Sequence, residues 1–158
     1  MISKIIILIS IVVLISVHVI EFWGFEACDL CLKQRWAWYL TLIIAIFSYF
    51  IIINYRNLGN IFLYIISIIL FFNAIFAAWH AGIEWGFWPG LETCNSNVEF
   101  DSNNLIESLK GSSVAVCNNA SFRILGISLA GYNFIISLLT SIFILIALRK
   151  NNGSKKIK

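Results

Sequence analysis

The sequence predicts an all-α integral membrane protein, a four-transmembrane-helix bundle with a long extracytoplasmic loop that contains a short amphipathic helix. Hydrophobic residues make up 60% of the 158 residues, whereas charged residues make up only 12%. A soluble domain carries about a quarter of its residues as charged side chains. The low charge also excludes a disordered chain, and 1 Pro with 9 Gly excludes collagen-like and Pro-rich chains. We therefore expect residues 1–158 to form a single membrane domain.

Four apolar stretches are long enough to cross a bilayer. A hydrocarbon core about 30 Å thick requires roughly 20 apolar residues per helix. The predicted spans occupy about residues 5–23, 36–53, 61–79 and 124–148. They leave outer loops at 24–35 and 80–123, and a cytoplasmic tail at 149–158.

The first span resembles a signal peptide because Lys4 precedes an apolar run. A cleavage site requires small residues after that run. Glu21, Phe22 and Trp23 stand there instead. We therefore expect the first span to remain in the protein.

The distribution of basic residues predicts the orientation of the spans. Seven of the 11 Lys and Arg residues belong to the termini and to the connector between the second and third spans. The other four belong to the two outer loops. The positive-inside rule then places both termini in the cytoplasm. A nucleic-acid surface is not expected, because the short basic tail flanks a span.

The first outer loop contains two cysteines in a CxxC motif. Cys28 and Cys31 precede the second span, and Arg35 follows Cys31 by four residues. A CxxC motif at the start of a helix can form a reducible disulfide, and the helix N-terminus favours the thiolate. On a continued helix Arg35 lies one turn from Cys31, where a permanent cation stabilises a thiolate or an anionic reduced cofactor.

Structural interpretations of the same residues remain open. A CxxC motif also occurs as half of a zinc site or as a plain disulfide, and an interfacial Arg often only reaches lipid head groups. Zinc is the weaker alternative, because Cys94 and Cys117 do not form a second CxxC. The outer compartment of a bacterium is oxidising, which favours disulfides over a metal thiolate site. We therefore expect no metal.

The second outer loop carries Cys94 and Cys117. Residues 104–107 fit a capping box that begins with Asn, and a short amphipathic helix is expected to follow up to Gly111. Four cysteines allow three pairings. Pairing Cys28 with Cys31 and Cys94 with Cys117 lets each pair be reduced separately, whereas crossed pairings either lock the loops together or occur as exchange intermediates.

Three polar residues lie in or at the ends of the predicted spans. His80, at the outer end of the third span, could donate a hydrogen bond to a cofactor carbonyl or simply be a structural interface residue. Asn73 and Asn133 are expected to make hydrogen bonds between helices.

This ordered set of features resembles the disulfide-bond formation protein B (DsbB) family, and the similarity covers nearly the whole chain. It includes the four spans, the CxxC–x3–Arg motif, and the long loop with two cysteines. It also includes the stretches 79–90, Trp-His-Ala-Gly-Ile-Glu-Trp-Gly-Phe-Trp-Pro-Gly, and 122–133, Phe-Arg-Ile-Leu-Gly-Ile-Ser-Leu-Ala-Gly-Tyr-Asn. Phe122 departs from the family, whose members often carry Trp there.

The resemblance implies an inner-membrane thiol oxidase that reoxidises a DsbA-like periplasmic partner. Cys94 would take electrons from the partner, with Cys117 as its mate. Cys28 would exchange with that pair, and Cys31 would face the quinone. Arg35, with a contribution from His80, would bind quinone, either ubiquinone or menaquinone. Electrons would pass to the membrane quinone pool.

Two other functions compete with this one. A vitamin K epoxide reductase-like enzyme also couples thiols to quinone, but its CxxC usually opens a late span, whereas here it precedes the second. A non-enzymatic membrane protein would use its cysteines as structural disulfides. The state of the thiols separates the two classes, because structural disulfides stay oxidised when quinone is withheld.

Overall fold

The computed structural model describes residues 2–25, 27–90 and 123–153, with side chains described up to residue 150. Four long helices dominate these residues. They are α1 (Ile2–Phe22), α2 (Asp29–Asn54), α3 (Arg56–Glu84) and α4 (Leu129–Gly153). Each described helix is long and apolar enough to cross a membrane. The predicted all-α membrane architecture is therefore confirmed for these residues, while Cys94, Cys117 and the amphipathic helix expected from residue 104 lie outside them.

The helices differ in length from the predicted spans, and these differences determine which functional residues lie within helices. α2 already begins at Asp29 and α3 continues to Glu84, so Cys28 caps α2, and Cys31 and His80 lie within helices. α4 begins only at Leu129, whereas the fourth span was predicted from residue 124. The preceding residues form a hairpin of β1 (Arg123–Ile124) and β2 (Ile127–Ser128). Leu125 and Gly126 both have positive φ, as a tight hairpin turn requires.

The helices pack in chain order around the bundle. α2 packs on α1 and on α3, and α3 packs extensively on α4, whereas α1 scarcely touches α4. Large apolar side chains such as Leu8, Phe47 and Phe72 are exposed on the outside. This is the pattern expected of helices whose outer faces contact lipid.

Hydrogen bonds between small polar side chains join the helices inside the bundle. Ser67 on α3 donates from its hydroxyl to the Ser141 carbonyl on α4 at 3.2 Å, and the Ser141 hydroxyl donates to the Ser67 carbonyl at 2.9 Å. Asn73 donates from Nδ2 to the Ser137 hydroxyl at 3.0 Å. Within lipid, polar side chains stabilise a bundle when they find partners across helices. The hydrogen-bonding role expected for Asn73 is confirmed.

The chain folds back on itself just after α3. Trp88 donates its indole N–H to the Trp79 carbonyl at 3.0 Å. Its ring lies on Gly82, where an added Cβ would come within 2.1 Å of the indole. Only glycine permits so close an approach. This contact holds the end of α3, and with it His80 and Glu84, against the turn.

Candidate active site

The CxxC motif opens α2, as the sequence predicts. Cys28 is the N-cap residue, with extended backbone angles of φ −68° and ψ 163°. Its sulfur accepts a hydrogen bond from the Cys31 backbone N–H at 3.2 Å, which satisfies one of the N–H groups left free at a helix start. Both cysteines are free thiols, and their sulfur atoms lie 2.8 Å apart. A disulfide between them therefore requires only a small displacement.

The surroundings of Cys28 favour its thiol form. The hydrogen bond to Cys31 and the burial of the side chain raise the pKa of Cys28 well above its ordinary value. A hydrogen bond from His80 opposes this shift without cancelling it. The helix N-terminus was expected to favour a thiolate, whereas the neighbouring thiol and burial act in the opposite direction on the pKa of Cys28.

His80 lies directly against Cys28, although 52 residues separate them in the chain. The ring is fully buried, with Nε2 at 3.6 Å from the Cys28 sulfur and Nδ1 at 2.9 Å from Gln34 Nε2. Among the described residues that line the nearby cavity, His80 does not appear. Its position thus favours a direct effect on Cys28 over contact with a ligand.

Glu84 lies one helical turn beyond His80. Its side chain is 6% exposed, and Oε1 is 3.9 Å from His80 Nε2. The other carboxylate oxygen, Oε2, is buried and has no hydrogen-bond partner among the described residues. Glu84 also lines the cavity described below. A buried, unpartnered carboxylate oxygen costs free energy unless a ligand or water satisfies it.

Arg35 is held by a carboxylate from another helix. Its Nη1 lies 2.6 Å from Oε2 of Glu21 on α1, and its side chain is 13% exposed. The sequence identified Arg35 as a cation one turn from Cys31. It did not identify Glu21 as its partner. In the structure this neighbouring anion compensates the charge of Arg35.

A cavity of about 260 Å³ lies beside the CxxC motif. Its walls come mainly from α1, α2 and α4, and because α1 and α4 scarcely touch, the cavity occupies the gap between them. Aliphatic side chains such as Val13, Val17 and Ile136 form most of the lining. Its polar lining includes Cys28, Cys31, Gln34, Arg35, Glu84 and Asn133. A mostly apolar cavity with a few convergent polar groups is typical of a small-molecule site.

The structure thus brings together four of the six residues that the sequence singled out. Cys28, Cys31, Arg35 and His80 converge at the N-terminal end of α2, and Cys94 and Cys117 lie outside the described residues. Sequence reasoning missed Gln34 and Glu84. A signal was present, because an ionisable or amide side chain at the edge of an apolar span is costly and commonly functional.

Comparison with known proteins identifies the family. The chain matches the profile of the family Disulfide bond formation protein DsbB over residues 1–147, which is nearly its whole length. The chain belongs to the DsbB family. This membership agrees with a CxxC pair at one end of a bundle whose four described long helices are apolar enough to cross a membrane.

As a DsbB-family member, the chain is a multi-pass membrane protein with an oxidoreductase role in disulfide bond formation. One curated relative is the uncharacterized protein RP370 of Rickettsia prowazekii (strain Madrid E), which is 24% identical over 147 residues. That alignment covers 90% of this chain and 83% of the relative. No solved structure matches the chain significantly.

Proposed function

We propose that this DsbB-family protein is a quinone-dependent thiol oxidase that reoxidises a periplasmic, thioredoxin-like dithiol oxidase of the DsbA type. The observation that carries the proposal is the position of the CxxC pair. Two thiols whose sulfur atoms are 2.8 Å apart stand in the wall of an apolar cavity of about 260 Å³ between membrane helices. Such a site joins thiol chemistry to a lipid-soluble electron acceptor.

Electrons would enter through the second outer loop. A thiolate of the reduced partner attacks Cys94 of an oxidised Cys94–Cys117 pair, and Cys117 leaves as a thiolate. The partner's second thiolate then attacks the partner sulfur of this mixed disulfide, so the partner leaves as a disulfide and the loop pair is reduced. Exchange through mixed disulfides moves two electrons at each transfer without any further oxidant.

The loop pair would pass these electrons to the CxxC pair by the same chemistry. A loop thiolate attacks Cys28 of the Cys28–Cys31 disulfide, and Cys31 leaves as a thiolate facing the cavity. The second loop cysteine then closes the loop disulfide, and Cys28 leaves as a thiolate. Cys28 and Cys31 hold both electrons after this step, next to the cavity that Cys31 and Arg35 line.

The residues of the cavity fit a quinone. A quinone ring with an isoprenoid tail suits aliphatic walls, and Oε2 of Glu84, which has no partner among the described residues, offers an acceptor to a donor group such as a hydroquinone hydroxyl. Arg35 would bind and orient the ring beside Cys31, and Glu21 would hold the Arg35 side chain in place. A bound ubiquinone or menaquinone would supply an acceptor for two electrons and two protons, passing them on to the respiratory chain.

The same proposal gives the protein its cellular setting. A strongly oxidising dithiol oxidase cannot be regenerated by an ordinary thiol pool, whereas coupling to quinone supplies the driving force. We therefore place the chain in the bacterial inner membrane, with both termini in the cytoplasm and the cysteine loops in the periplasm. The count of basic residues supports this orientation.

The test is quinone reduction by the full chain in lipid nanodiscs, supplied with a reduced thioredoxin-like dithiol protein and a short-chain quinone. We expect Cys31→Ser to abolish quinone reduction. Arg35→Ala should lower it by about tenfold or more, because hydrogen bonds from a charged donor are the strong ones. Arg56→Ala, at the opposite end of the bundle, is the matched control and should retain activity.

Full quinone reduction by both Cys31→Ser and Arg35→Ala would refute the mechanism. The competing structural function gives a different result without any substitution. Structural disulfides stay oxidised when quinone is withheld, whereas the catalytic pairs should accumulate as thiols once the reduced partner is added.

A further inference from the structure

A continuous chain of hydrogen bonds connects the bundle interior to the CxxC motif. Trp38 donates from Nε1 to Oδ1 of Asn133 at 2.8 Å, and Asn133 donates from Nδ2 to Oε1 of Gln34 at 2.7 Å. Gln34 Nε2 then lies 2.9 Å from Nδ1 of His80, and His80 Nε2 lies 3.6 Å from the Cys28 sulfur. These hydrogen bonds run from α2 to α4, back to α2 and on to α3.

The direction of every bond in this chain follows from its first member. An indole N–H can only donate, so the Asn133 atom that faces Trp38 must be the carbonyl oxygen. Asn73 Nδ2, which lies 3.3 Å from the same oxygen, supports this orientation. The amide NH₂ of Asn133 then faces Gln34, which must present its own carbonyl there. Gln34 consequently turns its NH₂ group toward His80.

This direction determines which nitrogen of His80 carries the proton. An amide NH₂ can only donate, so Nδ1 of His80 must accept and must hold a lone pair. A neutral imidazole with a free Nδ1 carries its proton on Nε2. That N–H faces the Cys28 sulfur, with Glu84 Oε1 at 3.9 Å as the neighbouring acceptor.

We propose that Trp38, Asn133 and Gln34 are positioning residues that fix His80 in the Nε2–H tautomer, which makes His80 a hydrogen-bond donor to Cys28 and not a proton acceptor from it. The tautomer stands on geometry alone. Its role in catalysis rests on the proposed function.

The role concerns the step in which Cys28 is the leaving group. When the thiolate of the second loop cysteine attacks its mate, the bond between the mate and Cys28 breaks, and its electron pair stays on the Cys28 sulfur. The Nε2–H of His80 then donates to the new thiolate. A hydrogen bond to a charged acceptor is stronger than one to a neutral acceptor, so the donor lowers the barrier to this departure. No proton needs to move in the step.

The Nε2–H tautomer of His80 also disfavours the binding of a metal ion at this site. Within the described chain, Cys28, Cys31 and His80 place their ligand atoms within 4.8 Å of one another, an arrangement that could hold a metal ion. A metal would require a lone pair on Nε2, where the hydrogen-bond chain places the proton. Tight zinc binding by the reduced protein through His80 Nε2 would therefore contradict the proposal.

The tautomer can be read directly by NMR. Two-bond ¹H–¹⁵N correlation spectra of the full chain, labelled with ¹⁵N-histidine in nanodiscs, distinguish the two neutral tautomers. The chain has 2 histidines, so a His80→Gln spectrum assigns the signals. We expect Nε2–H for His80 in the unaltered protein. An Nδ1–H signal would overturn the proposal without any variant having to fold.

Asn133→Asp should reverse the direction of the hydrogen bonds between Asn133 and His80, although Asn133 bonds to His80 only through Gln34. While it is ionised, Asp at this position only accepts, so it still accepts from Trp38 but forces Gln34 to turn its NH₂ away from His80. The Gln34 carbonyl then faces Nδ1, and His80 should switch to Nδ1–H. Ser137→Ala is the matched control. It removes the Ser137 hydroxyl, which donates to the Asn133 carbonyl at 3.2 Å, and should leave the tautomer of His80 unchanged.

The functional measurement is the rate at which the reduced loop pair reduces the CxxC pair, followed by rapid acid quench without quinone. We expect Asn133→Asp to slow this exchange by about tenfold. Trp38→Phe, which removes the donor that sets the direction, should populate both tautomers and give an intermediate rate. An unchanged tautomer and an unchanged rate in Asn133→Asp would refute the positioning role.

The two proposals fail in different ways. If the reduced partner and quinone produce no turnover while His80 is in the Nε2–H form, the proposed function is wrong and the tautomer assignment stands. If turnover proceeds with His80 in the Nδ1–H form, the positioning role is wrong and the proposed function stands.

Discussion

Arg35 on α2 and Glu21 on α1 form an ion pair across the cavity wall, with Nη1 and Oε2 separated by 2.6 Å. The arginine is largely buried, whereas the carboxylate is 40% exposed. Glu21 thus restricts the rotamers of a long side chain that would otherwise have to be ordered when a ligand binds. Preorganisation of this kind lowers the entropic cost of binding.

Glu21→Gln should raise the KM for quinone on the order of threefold, the size expected from a partly exposed ion pair. Steady-state kinetics in nanodiscs measure this change. Because Glu21 is expected to act through Arg35, the double variant Glu21→Gln/Arg35→Ala should be no worse than Arg35→Ala alone. Additive losses would show that Glu21 acts independently of Arg35.

Filling the cavity should block quinone without affecting thiol exchange. Ile136 lines the cavity, whereas its neighbour Ile135 is 39% exposed on the outside of α4. We expect Ile136→Trp to raise the KM for quinone by about tenfold or more, because overpacking a filled site costs about 1–3 kcal/mol. Ile135→Trp is the matched control and should keep normal kinetics. Equal behaviour of the two variants would place the quinone elsewhere.

The raised pKa of Cys28 predicts that the reduced protein loses stability in alkaline solution. Since the folded-state pKa lies above the unfolded one, its stabilising contribution is complete below the unfolded pKa and is lost as the pH rises toward the folded value. The denaturation temperature of the reduced form should therefore fall relative to the disulfide form above about pH 9, the ordinary thiol value.

The measurement uses a Cys94→Ser/Cys117→Ser background, so that only the CxxC thiols differ between the two forms. All other side chains are the same in both forms, so their contributions cancel in the comparison. Adding Cys28→Ser should remove the pH-dependent difference. A difference that stays constant through this pH range would mean that Cys28 is not held as a thiol.

Cys117→Ser should trap the partner. The Cys94 thiolate, which then lacks its mate, attacks the disulfide of the oxidised thioredoxin-like partner, and one partner cysteine leaves as a thiolate; no Cys117 thiolate is present to displace the resulting mixed disulfide. Non-reducing electrophoresis should show a covalent adduct, which Cys94→Ser abolishes. Adduct formation by Cys94→Ser in place of Cys117→Ser would reverse the roles of the two cysteines.

Much of this architecture was predictable because each feature has a local cause. Long apolar runs produce spans whatever their tertiary context. The CxxC motif with Arg35 defines one face at the start of α2 by helical spacing alone. Asn133 was expected to bond between helices, and it does so with Trp38 on α2.

The remaining features depend on contacts between distant segments. Glu21 meets Arg35 only because α1 packs on α2, and His80 reaches Cys28 only because α3 continues to Glu84. Periodicity within one helix cannot reveal such pairs. The raised pKa of Cys28 was not predictable for a similar reason, since burial and a neighbouring thiol are tertiary properties that the helix dipole does not include.

The gap between α1 and α4 determines whether the ligand concentration that matters is the one in the membrane or the one in solution. Its cavity lies between two helices that hardly touch, within a bundle whose outer surface is apolar. A ligand that arrives through that gap comes from the bilayer, so occupancy follows its mole fraction in lipid and not its amount per volume of solution. Adding inert phospholipid at constant protein and quinone should then slow turnover by surface dilution, as though the substrate itself had been removed.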